Sequence, residues 1–255
     1  MTRTAREISN TGIYHIVLRG INKQNIFHDM EDKERFLNTL KKYKGICEYE
    51  IYGYCLMNNH IHILIKEGKE TISQIMKRIG ASYVYWYNTK YERSGHLFQG
   101  RFKSETVEDE KYLLTVLRYI HQNPTKAGIV EEIANYKWSS YNEYFNKNGV
   151  ITDIDFVLSI LNSDYVKAVK EFEEFMAEEN KDKCLSYRVK RRKQLSDEHV
   201  AKLIKKIIKS DDIYILHNMN KNERNKIIKK LKQQGASIRQ LARVTGLGRR
   251  IIEKA

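Results

Sequence analysis

Apolar positions along the chain alternate between two rhythms, one of strands and one of helices. Gly12 to Gly20, GIYHIVLRG, is dense in β-branched and aromatic residues and gives way to the polar INKQNIFHD, which predicts a strand and then a loop. Glu31 to Cys47 carries apolar residues at Phe36, Leu37, Leu40 and Tyr43, the spacing of a helix. Tyr49 to Met57 and His60 to Ile65 are strand-like runs divided by Asn58 and Asn59, an asparagine-rich hairpin turn. A long helix is expected over Thr71 to Tyr91, a strand over Leu97 to Val107, and a helix from Asp109 to Asn123 with Asp109 and Glu110 in its first turn. Pro124, the one proline, should end that helix by pushing Asn123 out of helical dihedrals.

Strand, helix, strand, strand, helix, strand is the order of a split βαβ unit with one added helix. The expected fold class is α+β: a ferredoxin-like antiparallel sheet with helices on one face, followed by an all-α C-terminal region. The expected division is residues 1–148 for the sheet domain, 149–195 for an acidic helical connector, and 196–255 for a basic helical module.

With 255 residues, 41% of them hydrophobic, the chain can bury one good core and a smaller second one. No apolar segment approaches the roughly 18 residues of a membrane span, and Met1 to Gly12 lacks an apolar signal core, so a soluble, cytoplasmic protein without a membrane partner is expected. Cys47, Cys55 and Cys184 are odd in number and widely spaced, which fits a reducing compartment better than a disulfide or zinc framework. The formal charge of +14 is unevenly placed: from Leu185 onward there are 20 basic and 6 acidic residues, and the remainder is balanced at 26 of each. Such a basic segment suits phosphate backbones, although a solvated lysine-rich helix face has the same composition.

His60 and His62 are two apart on a predicted strand, so they project from the same face about 7 Å apart along the backbone. Two imidazoles placed so can converge on one cation, while Ile61, buried opposite, fixes the register; a purely structural pair is the alternative. Tyr119 and Asn123 stand at i and i+4 on the predicted Asp109 helix and share a face. An amide oxygen suits Mg²⁺ or Mn²⁺ and a phenol can attack a phosphate, but on spacing alone a packing tyrosine and a helix-end asparagine are the favoured reading. In SGHLFQGRFKS, aromatic residues interleave with Gln99, Arg101 and Lys103, as a single-strand binding edge or as a packed strand. Arg19, just before the first loop, is a weaker candidate of the same kind.

YCLMNNHIHILI, GHLFQGRFKS and LRYIHQNPTKAGIV, collinear and at these intervals, resemble the REP-associated tyrosine transposases, relatives of the single-tyrosine HUH transposases. The resemblance spans Ile8 to Tyr144. It implies a ferredoxin-like fold, His60 and His62 as ligands of a divalent metal (Mg²⁺ or Mn²⁺) with Asn123 as the third, and Tyr119 as nucleophile. It further implies single-stranded or hairpin DNA as substrate, a 5′-phosphotyrosine intermediate, and Gln99, Arg101 and Lys103 as DNA contacts. One departure stands out: Asn58 occupies a turn position where the family more often has proline.

The chain ends in SIRQLARVTGLGRRIIEKA. Ala242, Gly246 and Ile252 fall at the small, turn and buried positions of a helix-turn-helix, and Ser237 is a plausible N-cap. Arg239, Arg249 and Arg250 would then face duplex DNA or a hairpin stem. The segment is similar to the helix-turn-helix of bacterial replication initiators and repressors; an amphipathic hairpin for protein contacts is the alternative. The expected protein is a nickase and strand transferase joined to a DNA-binding module, with a second copy of the chain as a candidate partner. A rolling-circle initiator or relaxase, and a non-cleaving DNA-binding regulator, are the competing readings.

Overall fold

Asn58 and Asn59 close the hairpin between β2 (Glu50–Met57) and β3 (His60–Lys66), as their sequence predicts. Neither asparagine has a positive φ, so the turn is not the left-handed kind that asparagine usually supplies. Their carbonyls hold it instead: Asn58 O accepts from the amides of Ile26 and Phe27 at 2.8 and 3.1 Å, and Asn59 O from Gly20 N at 2.9 Å. Backbone bonds from the neighbouring loop thus supply the restraint that proline supplies elsewhere.

The structure, a computed structural model, describes residues 6–146, 150–179, 184–185 and 195–255. The boundary expected between residues 148 and 149 lies outside these, as do residues 1–5 and most of residues 180–194. β1 (Ile13–Arg19) pairs antiparallel with β3 on one side and with β4 (Lys103–Thr106) on the other, giving the sheet order β2-β3-β1-β4. The two central strands therefore carry His60, His62 and Arg19.

α1 (Met30–Cys47) starts from Asp29, whose side chain accepts from Asp32 N, and α2 (Ile72–Lys90) starts from Thr71 in a capping box with Gln74. Phe36 and Leu40 of α1 and Ile75, Ile79 and Tyr83 of α2 pack against Ile16, Ile61, Ile63 and Ile65 of the sheet. The opposite face is covered too, contrary to the expectation of helices on one face. There α3 (Glu110–His121) packs Leu113, Val116, Leu117 and Ile120 against Cys55, Met57 and Leu64. α5 (Ile154–Leu161) and α6 (Tyr165–Ala177), from the stretch expected to be a connector, add Val157, Leu158, Phe172 and Met176 to this same core. The apolar spacing of α3 reveals a buried stripe but not which side of the sheet receives it.

The expected strand over Leu97 to Val107 shrinks to the four residues of β4. Gly95 and Gly100 adopt φ of +93° and +69°, and the turns they make leave a single bridge between Phe98 and Gly20. Pro124 does not end the helical path either. α3 breaks at Gln122, and Asn123 opens a one-turn helix, α4 (Asn123–Lys126), with proline in its first turn, where a missing N–H costs nothing. Behind the break, Gln122 Nε2 donates to the carbonyls of Met176 and Glu178 at 2.8 and 2.7 Å, and Arg118 pairs with Glu178, so the end of α6 is tied to the end of α3.

The chain divides into two units, residues 1–187 and 188–255. The second is helical, α7 (Asp197–Ile208), α8 (Ile215–Asn218), α9 (Lys221–Gln233), α10 (Ile238–Thr245) and α11 (Arg249–Lys254), around Val200, Ile204, Leu216, Leu231, Leu241 and Ile252. Ser237 caps α10 through a bond from Gln240 N, and Gly246 ends it at φ +72°. Among the described residues no helix is long and apolar enough to cross a membrane.

Gly53 sets how closely α3 approaches the sheet, since a Cβ there would lie 2.3 Å from Leu117 Cδ1. Gly53→Ala should lower the unfolding free energy by about 1–3 kcal/mol through overpacking. Measured by urea denaturation, Gly53→Ala with Leu117→Ala should cost less than the sum of the two single changes.

Candidate active site

Side chains alternate along β3, so with Ile61 and Ile63 in the α1/α2 core, His60 and His62 face α3. β1 lies beside them in register, with Arg19 opposite His60 and Val17 opposite His62, and two residues back His15 joins the same face. His15 Nε2 lies 3.0 Å from His62 Nδ1, with the rings stacked at 5.2 Å between centroids. His60 meets His62 edge-on at 5.1 Å. From above, α3 lowers Tyr119 onto this row: its half-buried ring is 5.6 Å from His62 and 6.0 Å from His15, and Lys126 Nζ lies 5.6 Å from its centre. Histidines from two strands and a tyrosine from a helix thus form one cluster.

The electrostatics of the pair follow from burial. His60 is pulled down to about 4, chiefly by burial and then by Arg19, and His62 is pushed well below its ordinary value by burial, His15 and His60. Both rings are neutral near pH 7, so no proton competes for their lone pairs. His60 Nδ1 sits 2.6 Å from Asn59 Oδ1, an oxygen that can only accept, so Nδ1 carries the proton and Nε2 the lone pair.

That donor set fits a divalent cation as far as two imidazoles go. Among the described residues no group of three or more His, Cys, Asp or Glu is placed to hold a metal ion, so further ligands must be neutral oxygens or substrate. Asn123 brings such an oxygen. Its Nδ2 donates to Tyr119 O at 2.8 Å, which turns the amide back along the helix beside the tyrosine; no hydrogen bond joins it to either histidine.

Of the expected nucleic-acid contacts, Arg19 and Lys103 project on the histidine face, since Val17 and Lys103 are direct partners across β1 and β4. Gln99, exposed, is held beside Arg19 by its amide bond to Arg19 O at 2.7 Å. Arg101 and Lys103 line a groove of about 550 Å³ with Arg6 and Phe102, where the Arg6 guanidinium stacks 3.7 Å above the phenyl ring. Arg239, Arg249 and Arg250 are exposed on α10 and α11 of the second unit, apart from this cluster in the chain. The sequence reading overlooked His15, Asn59, Glu105 and Arg6. His15 was findable only as a third histidine on a strand of matching parity, and parity means nothing until the register of β1 against β3 is known.

Residues 9–123 match the family model described as "Transposase IS200 like". A Haemophilus influenzae protein named for the REP-associated tyrosine transposases is 26% identical over 160 residues, covering 56% of this chain and 86% of that protein. A solved structure described as a REP-associated tyrosine transposase bound to a REP hairpin superposes with a TM-score of 0.50 at 18% identity, covering 61% of this chain and 90% of that one. That likeness is one of fold.

Within the matched segment, His121 points away from the cluster, fully buried, with Nε2 2.8 Å from Ser140 Oγ and, among the described residues, no partner at Nδ1. Burial pulls it down to about 3. As pH falls below about 6.5 the unfolded chain takes up this proton and the folded chain does not, so stability declines until the pH nears the folded value. Urea midpoints between pH 7 and 4 should fall, and His121→Gln should remove up to about 1.4 kcal/mol per pH unit from that slope.

Proposed function

We propose, from the premise that this chain belongs through residues 9–123 to the IS200-like transposase family, that it nicks single-stranded DNA at hairpin or palindromic sites and rejoins the strands through a covalent 5′-phosphotyrosine. The observation that carries this reading is the ring of Tyr119 set against His62 on a sheet face that also bears Arg19 and Lys103. The hairpin in the structural relative favours the same class of substrate.

In this reading Arg19, Gln99, Arg101 and Lys103 bind the strand, the cations neutralising phosphates. The phenol oxygen of Tyr119 attacks the scissile phosphorus, losing its proton as the O–P bond forms. The P–O3′ bond breaks, and the departing strand end leaves as a 3′-hydroxyl once protonated. A 3′-hydroxyl attacking the adduct reverses both changes, so rejoining needs no nucleotide, in keeping with a sequence that has no phosphate-binding Gly-x-x-x-x-Gly-Lys-Ser/Thr loop. His60, His62 and Asn123 would hold Mg²⁺ or Mn²⁺, which when bound polarises the phosphate and offsets the charge developing on it. Lys126 stands over the Tyr119 ring, a cation beside the proposed nucleophile.

Incubation with labelled hairpin oligonucleotides and Mg²⁺ or Mn²⁺ should give a protein–DNA adduct that survives denaturation. Tyr119→Phe, His60→Ala or a chelator should each abolish it. An adduct persisting in Tyr119→Phe would move the nucleophile elsewhere. Hairpin binding that Tyr119→Phe leaves unchanged, with no adduct on any hairpin, would make the protein a non-cleaving regulator.

Arg239, Arg249 and Arg250 in the second unit are proposed to hold duplex or stem phosphates. Replacing all three by serine should reduce the slope of log affinity against log salt by roughly 2–3, about 0.7–0.9 for each phosphate no longer neutralised, with adduct formation preserved at saturating protein. An unchanged slope in filter-binding or anisotropy titrations would assign the arginines another role.

A further inference from the structure

We propose that Glu105 and His15 form a relay that fixes the tautomer of His62, placing the proton on Nδ1 and leaving Nε2 as the lone-pair atom of the site. The relay gives His15 and Glu105 positioning roles behind a ligand, and it rests on the reading of His62 as that ligand.

His15 and His62 are 0% and 1% exposed, and the 3.0 Å separation of His15 Nε2 and His62 Nδ1 holds one proton. Burial pulls His15 below its ordinary value as it does His62, and for two neutral rings two arrangements satisfy that contact. In one, His15 donates from Nε2; its Nδ1 is then a bare lone pair, and His62 carries its proton on Nε2, where a cation would have to bind. In the other, His62 donates from Nδ1, His15 carries its proton on Nδ1, and His62 Nε2 is bare. The two differ in what His15 Nδ1 shows to its surroundings.

Those surroundings are a carboxylate. β1 and β4 place His15 and Glu105 directly opposite each other, with Glu105 Oε2 3.6 Å from His15 Nδ1. That is longer than a hydrogen bond, and His15 Nδ1 has no other partner among the described residues. His15 is fully buried and the Glu105 side chain is 31% exposed, so the interaction is partly screened, but its sign still decides: an N–H facing a carboxylate is attracted and a lone pair is repelled. Glu105 is kept in place and ionised, for although burial opposes its charge, His15, the Leu185 amide at 3.0 Å and the Tyr112 hydroxyl hold it below the usual carboxylate range. The negative charge therefore selects the second arrangement, and its choice passes through His15 to His62. Carboxylate–histidine pairs orient metal-binding imidazoles by this logic, here extended by one ring. Asn59 fixes His60 in the same sense by an unrelated contact, so both histidines of the HIH motif present Nε2.

Histidine tautomers are read directly from long-range ¹H–¹⁵N correlation spectra of the metal-free, full-length protein labelled at histidine nitrogens. His62 is expected to be protonated at Nδ1 and bare at Nε2, the reverse of the form free histidine prefers. Glu105→Leu and His15→Phe should each shift His62 toward the Nε2–H form and weaken Mn²⁺ binding about 10–100-fold by calorimetry. His15→Gln, whose amide oxygen can accept from His62 Nδ1, should restore both readouts. A wild-type His62 protonated at Nε2 overturns the relay, whether or not any variant folds, and so does a His62 tautomer that neither Glu105→Leu nor His15→Phe moves. The expected tautomers in a protein that takes up no Mn²⁺ would uphold the relay and overturn the metal reading instead.

Discussion

Leu113, Val116, Leu117 and Ile120 press α3 onto the sheet where Gly53 has no side chain to hold it off, and this packing brings a helical tyrosine down onto strand histidines. The sheet alone presents a row of imidazoles and the helix alone a phenol. Their association follows from ordinary apolar burial, at about 25 cal/mol per Å² removed from water. The meeting of Tyr119 with the histidines is in that sense a by-product of a well-made core.

Charge is distributed around that cluster in layers. The innermost histidines are neutral because they are buried. Arg19, Lys103 and Lys126 stand at the margin, and Glu105 supplies one negative charge behind His15. A polyanion would meet the marginal cations first and be drawn toward a centre that is itself uncharged. The second unit is strongly basic and has a core of its own.

Much of this was legible in the sequence because it is local. The strand runs, the asparagine hairpin, the helical spacing of α1, α2 and α3, and the i, i+4 relation of Tyr119 to Asn123 depend on neighbours within a few residues. What was not legible depends on partners far apart in the chain. The short β4 arose because Gly95 and Gly100 turn the chain where the apolar pattern alone suggested a continuous strand. The α3 stripe was plain, but its choice of the histidine face depended on Gly53, sixty-odd residues upstream. Pro124 misled because the same residue that blocks a helix interior is welcome in a first turn. His15 and Glu105 were invisible for the strictest reason, since their meaning exists only in the register of three strands.

The anchoring of α3 from behind has a further consequence. Gln122 and Arg118 bind the end of α6 while the front of the same helix sets Tyr119 against His62, so the position of the tyrosine is fixed from both sides of α3. Residues at the end of α6 thus bear on where the Tyr119 ring stands, at one remove from the sheet it faces.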